Sequence, residues 1–414
     1  MDVKSFQTRL SHFYKQAKEN RFLVKMYISD ILRMLLKVSA KASQIATIIR
    51  KEKPLVELLV EEKRGLEKNN RFFQDFKTLA DVLIQETVRH YISEKIPNIG
   101  SSIYGEESNK FTNSLGDCVV VTICHTCEET QLLLQKVLNG NTEAACLLAE
   151  AVHSTTEDVP SLDDYDLHVD IDTNDCGIWI DPIDSTGQYI KGETGEKDEY
   201  GMVVDGLQCV AILIGMFQKS TGKSILGVAV QPFAEFNPQT NSWISQTLWG
   251  VCYKDIKQTS LKSADEVLHR EVKRAVLSNS ESEHVQDVLR TKFQLVFASG
   301  AGYKILATIL GLANAYVLSH RSIYRWDCCA GHAILLALGG GIISYKHALE
   351  MARKSSTPIT KEDLDQLQVN YVSTGGAITS RRCSISDGTE SLPGIVAYLT
   401  VSDVLLILDL LKNI

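Results

Sequence analysis

The run Gly177-Ile178-Trp179-Ile180-Asp181-Pro182-Ile183-Asp184-Ser185-Thr186 sets an apolar, β-prone stretch directly before two carboxylates separated by a proline and an isoleucine. The apolar part predicts a strand. Pro182 fixes its own φ and has no N–H, so it is expected to stop the strand ladder and turn the chain sharply. That turn would aim Asp181 and Asp184 at one point beyond the strand end. Two hard oxygen donors so placed suit magnesium, which prefers oxygen ligands in octahedral geometry and retains waters. A bare pair of aspartates at this spacing is more often a pair of turn or cap residues. The strand, the proline and the following Ser185-Thr186 favour the metal reading.

A third carboxylate stands far downstream. Tyr324-Arg325-Trp326-Asp327 opens an Ala- and Leu-rich stretch predicted to be helical, and Asp327 suits either its N-cap or a further ligand. Around these two segments, Ile28, Ile31, Leu32, Leu35, Val38, Ala42, Ile45 and Ile49 fall on one helical face, and a second helix is predicted from near Lys77 toward Glu94. Apolar β-branched runs at 119–123, 177–180, 209–217 and 225–230 predict strands. After about residue 255, strand-like runs at 275–277, 295–298, 316–318, 342–344 and 395–399 alternate with helical stretches at 303–311 and 328–338. The pattern predicts an α/β (α+β layered) chain in three parts: an N-terminal extension over 1–27, an α+β portion over 28–255, and an α/β portion over 256–414 that completes the site.

Composition excludes several classes. With 44% apolar and 23% charged residues and 8 prolines in 414 positions, the chain is expected to fold throughout, as two domains or one large layered one. A net charge of −8 leaves no basic footprint for nucleic acid. An anionic substrate would then need local positive charge, which bound divalent cations commonly supply. The ten cysteines lack disulfide-scaffold spacing and are read as reduced thiols, and Cys124 and Cys127 have no second half-site for zinc. No uninterrupted apolar leader precedes Ile28, and the apolar run Val404–Leu411 is too short to span a membrane, so a cytoplasmic monomer is the expectation.

Together these segments resemble the lithium-sensitive, magnesium-dependent phosphatase superfamily of the inositol monophosphatases. The resemblance lies in Trp179 to Thr186 as its first signature, Trp326-Asp327 with Ala330-Gly331 as its second, and Asp75-Phe76-Lys77-Thr78-Leu79-Ala80-Asp81 as its upstream element. Tyr104-Gly105-Glu106-Glu107-Ser108, Gln188 to Gly192, Gly206 to Cys209 and Gly300-Ala301-Gly302-Tyr303-Lys304 resemble the branch that acts on inositol polyphosphates. The resemblance implies an αβαβα sandwich and a phosphomonoesterase using two or three Mg2+ ions and metal-activated water, with Li+ as inhibitor. It implies metal ligands at Glu106, Glu107, Asp181, the Ile183 carbonyl, Asp184, Asp327 and Asp81. It implies catalytic roles for Asp81, Thr186, Glu106 and Thr78, and substrate contacts at Ser185, Thr186, Ser280, Gly300, Ala301 and Lys304. A 3′(2′),5′-bisphosphate nucleotidase and a catalytically silent metal- or phosphate-binding relative are the competing readings. Two positions depart from the branch: Ser282 stands where a lysine is expected, and Gly187 where an aromatic residue is.

Overall fold

The structure, a computed structural model, describes residues 25–51, 58–63, 75–155, 159–261, 272–355, 357–372 and 391–414. The expected extension therefore lies outside the described residues as far as position 24. Residues Lys25–Tyr27 form a short antiparallel pair with Asp170–Asp172, so the last three residues of the expected extension pair with the body of the chain.

The apolar stripe read from the sequence becomes helix α1 (Ile28–Lys51), and every residue of that stripe is buried. Helix α2 (Leu79–Lys95) starts at a capping box in which Thr78 and Asp81 satisfy each other's backbone N–H groups. Both helices cover one face of a six-stranded sheet made of β1 (Ile103–Gly105), β2 (Cys176–Asp184), β3 (Ala211–Gln218), β4 (Ser224–Asn237), β5 (Ser242–Tyr253) and β6 (Ile256–Thr259). The strand order is β6-β5-β4-β3-β2-β1, antiparallel except for the parallel pair β1 and β2. Because β6 pairs with β5, the first sheet runs four residues past the expected division at 255.

A short helix, α3 (Thr186–Lys191), follows β2. The C-terminal portion begins with β7 (Arg274–Leu277), α4 (Glu283–Arg290) and β8 (Gln294–Phe297). It continues with α5 (Ala301–Ile309), β9 (Ala315–Leu318), α6 (Arg325–Leu338), β10 (Gly341–Ser344), α7 (Tyr345–Lys354), β11 (Ile395–Tyr398) and α8 (Val401–Leu411). Its five strands run in the order β8-β7-β9-β11-β10. Helices α5 and α6 are sandwiched between the two sheets, and α4, α7 and α8 cover the far face of the second. The result is the αβαβα layering that the resemblance implied. Strands β2, β3, β7, β9, β10 and β11 are buried along nearly their whole length, β2 at all nine positions, whereas β5, β6 and β8 are partly exposed. Among the described residues, no helix is long and apolar enough to cross a membrane.

The sheet and α6 approach so closely that glycine is required between them. A Cβ on Gly215 would lie 2.5 Å from the Ala330 nitrogen, and one on Gly227 would overlap the Ala330 carbonyl oxygen. Gly215→Ala should therefore push α6 off the sheet and cost about 1–3 kcal/mol. Gly187→Ala, whose Cβ would meet nothing within 4 Å, should leave stability unchanged or slightly raised. Urea midpoints of the two variants check this, and equal midpoints would contradict the packing argument.

Candidate functional site

Pro182 does not end β2. The strand continues through Asp184, and the pairing with β3 slips between Asp181 opposite Leu213 and Asp184 opposite Ala211. This is a bulge with one extra residue on β2. In a regular strand, residues three apart point to opposite faces. The bulge cancels that alternation and brings both carboxylates to one side. Asp327, expected as a possible N-cap, is instead the third helical residue of α6: Tyr324 holds the cap position, and its N–H donates to Asp327 Oδ2 at 2.6 Å. Oxygens of Asp181, Asp184 and Asp327 lie within 4.8 Å of one another, and all three residues are buried. Among the described residues they are the group of metal-ligating side chains so assembled.

The surroundings of these carboxylates differ. Asp184 accepts from the N–H groups of Ala301 and Tyr303, each at 3.1 Å, at the N-terminus of α5. Burial raises its pKa, while Lys304 and those N–H groups oppose the rise. Asp181 has no such help and one oxygen, Oδ1, is buried without a hydrogen-bond partner. Burial, and then the charges of Glu106, Asp184, Asp327 and Asp81, push its pKa well up. Burial and Asp184 do the same to Asp327. Metal cations would reverse each of these shifts, so the donor set fits a divalent ion with oxygen preference.

Behind this group stand the two residues that follow β1. Lys63 is 2% exposed and its Nζ lies 2.8 Å from Glu106 Oε1 and 2.5 Å from Glu107 Oε1. Burial alone would lower the Lys63 pKa, but Glu106, Glu107 and Asp75 outweigh it and raise it well above the ordinary value. Glu107 is locked by Gln85, which accepts from its N–H at 2.9 Å. Asp81 accepts from the Thr78 N–H at 2.7 Å and the Thr78 hydroxyl at 2.6 Å, and its other oxygen has no partner.

The cavity beside these residues has a volume of about 580 Å3, a size that suits small ligands. Glu106, Asp181, Ile183, Asp184, Ser185, Thr186, Ser280, Gly300, Ala301, Lys304 and Asp327 all line it, so eleven of the fourteen expected site residues meet at one surface. Thr78, Asp81 and Glu107 do not line it. Ser185 sits at φ 70° with its hydroxyl buried and without a partner. Gly300, at φ +77°, leaves the space that this arrangement needs, because a Cβ there would overlap Ser185 Oγ and lie 2.7 Å from Asp184 Oδ2. Thr186 donates to the Ile183 carbonyl at 3.1 Å. Lys304 is 4% exposed rather than on the surface, donates to the Ala298 carbonyl at 3.0 Å and lies over the Tyr316 ring.

Of the two departures, Ser282 is the N-cap of α4, accepting from the Val285 N–H, and does not line the cavity. Gly187 does line it, with open space where a side chain would stand. Sequence reasoning missed Lys63, which sits in a charged run that reads as a solvated surface. Only the pairing of Val60–Glu62 with Phe76–Thr78 carries it to the site. The hydroxyls of Ser278, Ser299 and Ser322 at the cavity wall also went unread, since isolated serines in turns carry no spacing signal.

Burial pushes Asp81 up to about 7 and Glu107 up to about 8. A carboxyl with a folded pKa above its unfolded value binds more protons folded than unfolded, so stability falls as pH rises between the two values. For these groups the window runs from about pH 4 to about pH 8. The stabilising shift of Lys63 is fully present throughout that window and adds no slope. Chelator-treated protein should thus melt at higher temperature near pH 5.5 than near pH 8, and added magnesium should shrink the difference. Thermal melts across pH check this, and a metal-free midpoint that rises with pH would contradict it.

Comparison with known proteins identifies the family. Residues 32–373 match the inositol monophosphatase family. The chain is 45% identical over 369 residues to a mouse inositol polyphosphate 1-phosphatase, covering 84% of this chain and 90% of that one. It is 42% identical over 372 residues to the human protein of that name, covering 86% and 92%. A Dictyostelium discoideum 3′(2′),5′-bisphosphate nucleotidase 1 is 32% identical over 177 residues, covering 40% of this chain and 51% of that one. With its signature carboxylates gathered at one cavity and a match spanning most of its length, the chain belongs to the inositol monophosphatase family.

Proposed function

We propose that the chain is a magnesium-dependent phosphomonoesterase that removes the 1-phosphate of inositol 1,4-bisphosphate and inositol 1,3,4-trisphosphate in the cytoplasm. The observation that carries this reading is the trio of buried carboxylates, Asp181, Asp184 and Asp327, with oxygens within 4.8 Å at the wall of a cavity lined by hydroxyls and two lysines. The names of the mouse and human relatives, matched over nine-tenths of their length, supply the substrate class.

Glu106, Asp181, Asp184, Asp327 and the Ile183 carbonyl would hold the ions, two or three in number, with Asp81 and Glu107 nearby. Bound magnesium would supply charge for the phosphoryl oxygens and acidify a coordinated water. The chain's own groups do the rest. Asp81 is the proton acceptor: Thr78 fixes one of its oxygens, and the other is left without a partner. Thr186, anchored to the Ile183 carbonyl, would accept a hydrogen bond from the attacking water at the cavity wall. The unpartnered Ser185 hydroxyl donates to the scissile phosphate. The N–H of Ala301 is engaged by Asp184, so Ala301 and Gly300 offer the inositol ring close backbone and apolar contact. Lys304 and Ser280 face the remainder of the substrate.

Phosphate release from inositol 1,4-bisphosphate should require magnesium and exceed release from adenosine 3′,5′-bisphosphate; turnover of the nucleotide alone would overturn the branch. Asp181→Asn and Asp327→Asn should each abolish most turnover at saturating magnesium while the chain stays folded, and near-wild-type activity in either would remove that residue from the site. Lithium is small and oxygen-seeking, and as a monovalent replacement it would stabilise the leaving group less or trap the released phosphate. Its inhibition should therefore deepen with substrate, in uncompetitive form. Rates across a matrix of substrate, lithium and magnesium check this, with sodium matching the ionic strength. Indifference to millimolar lithium would count against the mechanism.

A further inference from the structure

Strand β7 runs parallel to both β8 and β9, and open α/β sheets bind ligands beyond the carboxyl ends of such strands. Three segments leave those ends here: residues 278–282 after β7, 298–300 after β8 and 319–324 after β9. Ser278, Ser280, Ser299 and Ser322 from these segments line the cavity, giving it a wall of hydroxyls in addition to its carboxylates.

His320, on the segment after β9, does not itself line the cavity, but its Nε2 lies 3.4 Å from the Ser280 hydroxyl, which does. Its Nδ1 lies 3.9 Å from Glu281 Oε2. The Glu281 side chain is fully buried and accepts from the N–H groups of Ser319 and Ser282, both at 2.9 Å, and from the Ser319 hydroxyl. Its charge is thus shared among fixed donors, and what it offers His320 is orientation: Nδ1 toward the carboxylate and Nε2 toward Ser280. Arg321 and Arg325 follow in sequence but do not line the cavity, donating to the Ser391 and Asn370 carbonyls.

A bisphosphorylated substrate brings a second phosphate that the metal-binding carboxylates do not serve. Among the described residues, the basic side chains lining the cavity are Lys63 and Lys304. Lys63 is ion-paired with Glu106 and Glu107, and Lys304 donates to the Ala298 carbonyl. A donor pair at the mouth, Ser280 backed by His320, is placed to meet an anionic oxygen there.

We propose that His320 is a positioning, specificity-determining residue: it holds the Ser280 hydroxyl at the cavity wall to meet a phosphate of the substrate that is not cleaved. The proposal rests on the phosphatase reading above and deepens it, by naming the group that separates a bisphosphate from a monophosphate.

The test measures kcat/KM for inositol 1,4-bisphosphate and for inositol 1-phosphate on the full chain, for the wild type, His320→Ala and His320→Glu, with calorimetric affinities for both esters. The ratio of bisphosphate to monophosphate efficiency should fall about fivefold in His320→Ala, mainly through KM, and further in His320→Glu. A purely structural role would lower both esters alike, so an unchanged ratio in both variants overturns the proposal. If the wild type hydrolyses neither ester, the phosphatase reading falls, and the same ratio taken from the calorimetric affinities still decides for or against His320.

Discussion

Like charges held together in a dry interior set the terms for this molecule. Two carboxylates 4.8 Å apart repel by roughly 3 kcal/mol at an effective dielectric of about 20, and three are gathered here within that distance. Burial adds its own penalty, which is why Asp181 and Asp327 are pushed well toward the protonated form. Such an arrangement persists only because the surrounding layers over-determine it. Asp184 is clamped by the N-terminus of α5, Asp327 by the first turn of α6, and Asp181 by a strand buried at every position. What the folded chain stores as repulsion is the affinity it has for a cation.

The layered architecture explains how residues so distant in sequence meet. Helix α6 lies between the sheets against Gly215 and Gly227, so its first turn is delivered to the end of β2. The same sandwich brings the parallel strands β7, β8 and β9 to the other side of the cavity, with the hydroxyl-bearing segments at their carboxyl ends. The carboxylate side thus comes from the first sheet and the first turn of α6, and a polar, partly basic side from the segments beyond the second sheet.

Much of this was legible in the sequence, for identifiable reasons. The stripe of α1, the apolar strands and the signature carboxylates are local patterns whose side chains are all consumed by burial or by the site. What failed to be legible depended on pairing. Pro182 reads as a strand terminator, yet a bulge absorbs it, because β3 offers its partner atoms across the slip. Asp327 taken alone reads as a cap or a ligand, yet the cap falls on Tyr324 three residues earlier, and the carboxylate serves as the reciprocal member of a capping box. Lys63 and His320 are invisible at the level of pattern: each is placed by strands that pair over intervals that the local sequence does not encode.

If the function proposed above is right, Asp181, Asp184 and Asp327 form a cation site. A crystal grown with manganese in place of magnesium, measured for anomalous scattering at the manganese edge, tests it most directly. The account predicts a strong anomalous peak within coordinating distance of carboxylate oxygens from all three aspartates, with Glu106 and the Ile183 carbonyl at its periphery. A peak that lacks two of the three aspartates, or no peak at saturating manganese, would contradict it.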